Sequence, residues 1–428
     1  MKKSLSVLIV IISIIFCSCT QAPTQTATEP QADSKAISGE HGNTNASSTY
    51  YNYKTDCQFG ATKPPQKVTK GKDGYYVMSE NGYIYFCDPE KGMASPLCNK
   101  PNCLHDTGGG AVNGCYARVI ESDSNIAYND GYLYFQDEEN DDGVFGYKPT
   151  IVRLTPDGSG SKKTVYTGDL PISIWVIHRE YLYIASSEFN SRKGSKENAT
   201  SRLLLYKVSL NKPDERVLLY DSKDYHDFSS FHYLALFDEY VYFNISYEDE
   251  NENTVDKLYC CNINDGKLSG ITMPDKKKYN GLNVFPLGDK LVFDDKKRVY
   301  QCDLSGKNVK EIMTVDKGHT IFTDGTYLYE DNFTNYVFAD DESLHKQFDY
   351  KGESSRILKV YDTNYNLIDT LDVGKTEHSF CPCDDEYFIR ENKNYETDKT
   401  ENFGFWNKSE IGSVNGSQWV ENTMEILS

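Results

Sequence analysis

Hydrophobic and polar positions alternate along this chain in a short phrase that recurs. A turn pair is followed by an alternation of aromatic and aliphatic residues, seven times over. Four copies are Asp73-Gly74-Tyr75-Tyr76-Val77, Asp130-Gly131-Tyr132-Leu133-Tyr134-Phe135, Arg179-Glu180-Tyr181-Leu182-Tyr183-Ile184 and Asp238-Glu239-Tyr240-Val241-Tyr242-Phe243. The others are Gly288-Asp289-Lys290-Leu291-Val292-Phe293, Asp324-Gly325-Thr326-Tyr327-Leu328-Tyr329 and Asp384-Asp385-Glu386-Tyr387-Phe388-Ile389. A period of two with tight-turn residues in front predicts a hairpin. Each copy after the first has a short apolar strand before it, and most have two strands after it, such as Val152-Arg153-Leu154 and Thr164-Val165-Tyr166 in the second. Four strands per unit, repeated at intervals of tens of residues, predict an all-β protein: a β-propeller of seven four-stranded blades.

Composition agrees with strands. Tyr occurs 33 times and Phe 20 against 6 Met, and no convincing amphipathic helix follows the N-terminal region. The seventh unit is loosely matched, its last strands being placed around Phe405-Trp406 and Gln418-Trp419-Val420. Ring closure is therefore open: either that unit is complete, or a strand from Tyr50 to Val68 supplies its edge.

The second unit, with Asp130-Gly131-Tyr132-Leu133-Tyr134-Phe135 and Leu154-Thr155-Pro156-Asp157-Gly158-Ser159-Gly160, resembles the YWTD-type and TolB-like propeller repeats. That resemblance implies fold and not function.

The N-terminus is read differently. Lys2 and Lys3 precede an apolar run from Leu5 to Phe16, which has the form of a signal peptide and is too short to span a bilayer. Phe16-Cys17-Ser18-Cys19 resembles the lipobox of bacterial lipoproteins, which implies cleavage after residue 18 and lipid on Cys19. Residues 19–49 are rich in Thr, Gln, Ala, Ser and Pro and read as a disordered tether. The expected organisation is a signal peptide over 1–18, a tether over 19–49 and a propeller over 50–428, lipid-anchored to the cell membrane and facing outward. The formal charge of −19 argues against nucleic acid as a partner.

Twelve cysteines divide by register. Cys87, Cys261 and Cys302 occupy one repeat position, where other units carry Leu154, Val208 and Tyr361, so they read as core residues. Cys381 also falls at a core position. Cys98, Cys103, His105 and Cys115 match no repeat position and lie in a Gly-rich insert between the first two units. Three thiols and an imidazole suit a structural tetrahedral Zn site. A disulfide among the cysteines, with Cys57 available, is the alternative. The insert also looks like one found in lipid-anchored propeller proteins of unassigned role, a resemblance that implies no metal.

Long connections between second and third strands gather on one face, and their residues combine carboxylates with aromatics: Phe145, Tyr147, Phe333, Tyr336, Phe338 and Tyr350. Such a face suits an extracellular glycan or protein. No nucleophile elbow, zinc-protease helix, phosphate loop or dinucleotide fingerprint is present, so the expectation is a binding module and not an enzyme. A carbohydrate-active enzyme with paired carboxylates is the alternative, because such pairs leave no local motif.

Overall fold

A computed structural model describes residues 57–61, 67–103, 105, 115–119, 125–140, 147–191, 199–224, 226, 229–249, 251–274, 284–295, 297–332, 355–373, 381–382, 384, 386–394, 399–413 and 421–427. Among these, strands form seven antiparallel four-stranded blades, over residues 68–96, 126–167, 172–221, 229–270, 284–314, 320–372 and 381–426. A 3-10 turn at Lys408–Glu410 is the one helical element among the described residues. The protein is a seven-bladed β-propeller.

The recurring phrase has a physical reason. Side chains on a strand alternate between its two faces, and the second strand of every blade is buried on both. In blade two, Leu133 and Phe135 join the apolar cluster shared with blade one, while Tyr134 joins the cluster shared with blade three. Blade three repeats the phase, Leu182 and Ile184 facing backward and Tyr183 forward. Blade four does so with Val241, Phe243 and Tyr242, and blade five with Leu291, Phe293 and Val292. The central residue therefore meets the next blade and its neighbours meet the previous one. Burying each such side chain contributes about 1.5–3 kcal/mol.

The turn pairs make the first hairpin of each blade. Asn129 pairs with Tyr132 across Asp130 and Gly131, whose φ values of 46° and 78° are the left-handed pair of a type I′ turn. Arg179 and Asp238 hold the equivalent first position at φ 56° and 53°. Neighbouring hairpins are also tied to one another. Asn129 Nδ2 donates to the Arg179 carbonyl at 3.3 Å, and His178 Nε2 lies 2.9 Å from the Asp238 carbonyl. Gly288 N–H donates to the Gly325 carbonyl at 2.9 Å, and Lys70 Nζ lies 2.9 Å from Asp384 Oδ2.

Closure takes a form the sequence left undecided. The last blade has its own four strands, its outermost being Asn422–Ile426. Residues 418–420, where the sequence placed that strand, lie outside the described residues. The outer strand of blade seven pairs in parallel with the outer strand of blade one, Glu425 opposite Met93 and Ile426 opposite Ala94. Glu425 N–H donates to the Gly92 carbonyl at 3.1 Å and Leu427 N–H to the Ala94 carbonyl at 2.7 Å. Two edges that would each attract a foreign strand thus cover each other. The strand Cys57–Ala61 does not complete blade seven. It pairs antiparallel with the inner strand of blade four, Cys57 opposite Phe237 and Ala61 opposite Tyr233.

A buried ion pair seals the seam between blades six and seven. Lys408 Nζ lies 2.6 Å from Asp324 Oδ2, with both side chains fully buried, and sits 4.1 Å from the centroid of the Phe388 ring. Asp324 also accepts from the Tyr329 hydroxyl at 2.7 Å and from the N–H groups of Thr326 and Tyr327. Replacing Lys408 with Ala strands that carboxylate in an apolar seam, and chemical denaturation is expected to report a loss of about 3–5 kcal/mol. The double replacement Lys408→Met with Asp324→Asn is expected to lose less than the sum of the single changes; additive losses would show that the two side chains are not coupled.

Candidate functional site

The insert after blade one is built into the seam with blade two. Leu97 N–H continues blade one's ladder by donating to the Ile84 carbonyl at 2.8 Å, and Asn99 N–H reaches across to the Gly158 carbonyl at 3.3 Å. On the return, Ile84 N–H donates to the Ala117 carbonyl and Val119 N–H to the Gly82 carbonyl, at 2.9 and 2.8 Å. Leu97, Cys115, Ala117 and Val119 are buried in the cluster that blades one, two and seven share. Gly158 is held at φ 67°, and a Cβ there would meet the Leu97 carbonyl carbon at 2.8 Å. Blade two's last turn therefore approaches the insert as closely as a glycine permits.

This scaffold brings Cys98, Cys103, His105 and Cys115 together, with all four donor atoms within 4.8 Å of one another. Cys115 Sγ lies 3.6 Å from His105 Nδ1. Cys115 is buried and the others half-buried, and none of the three cysteines is in a disulfide. His105 adopts φ 48°, in the left-handed region. Burial raises the Cys98 thiol, but N–H groups of Lys100 and Tyr116 and the neighbouring thiols outweigh it and leave Cys98 below its ordinary value. Burial and the neighbouring thiols push Cys115 up to about 12, against an N–H bond from Ala117.

The cysteines at the repeat position behave otherwise. Cys87, Cys261 and Cys302 lie opposite Tyr75, Val241 and Leu291 of the second strands, buried in the seams. Burial pushes the Cys261 thiol up to about 11 and that of Cys302 further still. These are packed, unreactive thiols. Cys381 lies on the inner strand of blade seven. Cys19 and Cys383 lie outside the described residues.

Of the aromatic residues singled out for a binding face, Tyr147 falls on a described strand, Tyr147–Leu154. Phe145, Phe333, Tyr336, Phe338 and Tyr350 lie outside the described residues. What is described of that face is a set of projecting hairpins. Every blade runs in the same sense from axis to rim, so the turns between second and third strands share one face. In blades two and three the paired residues 136–140 and 187–191 of these hairpins continue past the last described pair with the inner strand. The hairpin of blade three carries Phe189, 55% exposed, which sequence reasoning did not name. The strand pattern does not encode its exposure.

A second group of possible ligands, Asp316, His319 and Glu330, is filled by a cation of the chain. Lys359 Nζ lies 3.0 Å from both Asp316 Oδ2 and Glu330 Oε1, His319 Nδ1 lies 2.7 Å from Glu330 Oε1, and the Tyr361 hydroxyl donates to Glu330 Oε2 at 2.7 Å. This is an ion-pair network that ties the link from blade five to blade six.

No family model matches the chain, and no curated protein matches it. Among solved structures it is similar to prolyl oligopeptidase B from Galerina marginata (9% identity, TM-score 0.47, covering 86% of this chain and 51% of that one). It is also similar to an acylaminoacyl peptidase from Pyrococcus horikoshii (11%, TM-score 0.45, 83% and 52%). A third is dipeptidyl peptidase 4 from Porphyromonas gingivalis (9%, TM-score 0.44, 84% and 53%). The chain spans about half the length of these proteins. The finding corrects the expectation that the chain is not an enzyme. Several of its structural neighbours are peptidases, against an expectation that rested on missing local motifs alone. No helix of the described residues is long and apolar enough to cross a membrane.

The ion-pair network around Glu330 sets a pH dependence. Burial raises Glu330, yet its bonds from His319, Tyr361 and Lys359 outweigh this and hold it at about 2. Burial lowers His319, and its bond to Glu330 outweighs that and raises it. The Glu330 contribution is present above its unfolded value and lost as pH falls toward 2. The His319 contribution is present below its unfolded value and lost as pH rises through the raised one. Glu330→Gln is expected to cost about 3 kcal/mol in denaturant unfolding. The difference from the parent should be largest between about pH 4.5 and 6.5; a flat difference across pH would contradict this account.

Proposed function

We propose that this chain is a lipid-anchored cell-surface protein whose propeller presents its projecting hairpins to an extracellular ligand, a glycan or a protein. The observation that carries the reading is the hairpin rim. Two blades continue their second and third strands past the last described pair with the inner strand, on one face, and one exposes a large aromatic side chain there. A rigid ring fixes such hairpins relative to one another, so their tips offer a preorganised surface at little entropic cost. Exposed aromatic rings stack on sugar faces or fill a pocket in a partner protein. The net charge of −19 favours neutral or basic ligands over acidic ones. The anchor rests on Phe16-Cys17-Ser18-Cys19 and the apolar run before it.

Two experiments test this. Full-length protein in detergent, screened on arrays of cell-wall and dietary glycans and of surface proteins, is expected to bind a defined set. Phe189→Ala should weaken that binding roughly tenfold while leaving thermal unfolding unchanged. No binding on any array, or binding indifferent to the hairpin tips, would overturn the assignment of the face, and turnover of a bound glycan would show that it carries chemistry as well. For the anchor, Cys19→Ala is expected to move the protein out of the membrane fraction or block its maturation, whereas Cys17→Ala should leave it there.

A further inference from the structure

We propose that Cys98, Cys103, His105 and Cys115 bind one Zn²⁺ ion that staples blade one to blade two. Tetrahedral zinc, with Zn–S of about 2.3 Å and Zn–N of about 2.0–2.1 Å, sets its sulfurs about 3.8 Å apart and a sulfur and a nitrogen about 3.6 Å apart. The Cys115 Sγ to His105 Nδ1 distance is 3.6 Å, and the whole set fits within 4.8 Å. A disulfide would instead bring two sulfurs to about 2.05 Å and leave the imidazole without a role. Here the imidazole lies among the thiols, on a backbone in the left-handed region.

Backbone amides face two of the sulfurs. Backbone N–H groups of Lys100 and Tyr116 point at Cys98 Sγ and that of Ala117 at Cys115 Sγ. At both cysteines one donor lies two residues on in the chain, a turn that wraps an amide around the sulfur and offsets the charge of a ligated thiolate. Four protein ligands leave no open coordination position, so the ion's role is structural.

Its place defines what it holds. Blade one is the smallest blade, with strands of three to five residues. Its outer strand meets blade seven through the short parallel pairing at Met93 and Ala94. On the other side the insert, with a span from Cys98 to Cys115, is the covalent link to blade two. An ion bound by residues from both ends of that span closes it into a loop.

Full-length protein, expressed without added metal and purified anaerobically without chelator, is expected to carry about one zinc per chain by elemental analysis. His105→Asn and Cys115→Ser should lose it. His105→Cys, which restores a fourth ligand, should retain it and so separates ligation from misfolding. Cobalt substitution should give intense thiolate-to-metal absorption. Stripping the metal should raise amide hydrogen exchange in residues 68–96 and 155–158 while leaving blades four and five unchanged. Protein with free thiols and no metal, or with an intact disulfide among Cys98, Cys103 and Cys115 by mass, would overturn the proposal. Unchanged exchange at blade one on metal loss would overturn the staple.

Discussion

Burial of every blade's second strand on both of its faces is the constraint from which the rest of this structure follows. A two-sided apolar strand cannot be satisfied by its own blade. Leu133 and Phe135 need blade one, Tyr134 needs blade three, and the same holds in phase around the ring. An open row of such blades would leave one apolar face bare at each end, so the packing is complete once the last blade meets the first. The cluster shared by blades seven, one and two supplies that meeting, with Ile389, Phe403 and Met424 packed beside Tyr75, Val77 and Tyr85. Ion pairs and hairpin-to-hairpin hydrogen bonds then fix the register of blades that apolar packing alone would let slide.

Blade-level architecture was legible because this two-sided burial writes itself into sequence as aromatic and aliphatic alternation with no polar face. Asp130-Gly131 marked a turn whose geometry few other residue pairs adopt. Cys87, Cys261 and Cys302 could be placed in the core by repeat position alone, since they face the preceding blade just as Leu154 and Val208 do. The gathering of Cys98, Cys103, His105 and Cys115 was signalled by their failure to fit that repeat.

What escaped was set by contacts between distant segments. The parallel pairing of Met93–Pro96 with Asn422–Ile426 joins strands more than three hundred residues apart, and neither carries a pattern naming the other. The partners of Lys408 and Glu330 are likewise chosen in space, and a lysine or glutamate in sequence looks the same whether buried in a seam or solvated. Phe189 reads as one more strand aromatic until the overhang of its hairpin is seen. Cys57–Ala61 was available as an edge for blade seven, but the open edge that received it belongs to blade four.

That last placement has a mechanical consequence. Among the described residues the chain first joins the ring on the inner edge of blade four and only afterward begins blade one at Val68. A pulling force applied to whatever precedes Cys57 is therefore borne first by the antiparallel register from Cys57–Phe237 to Ala61–Tyr233. Blade one, with its short strands, lies behind that register and is shielded from the load until those backbone bonds give way.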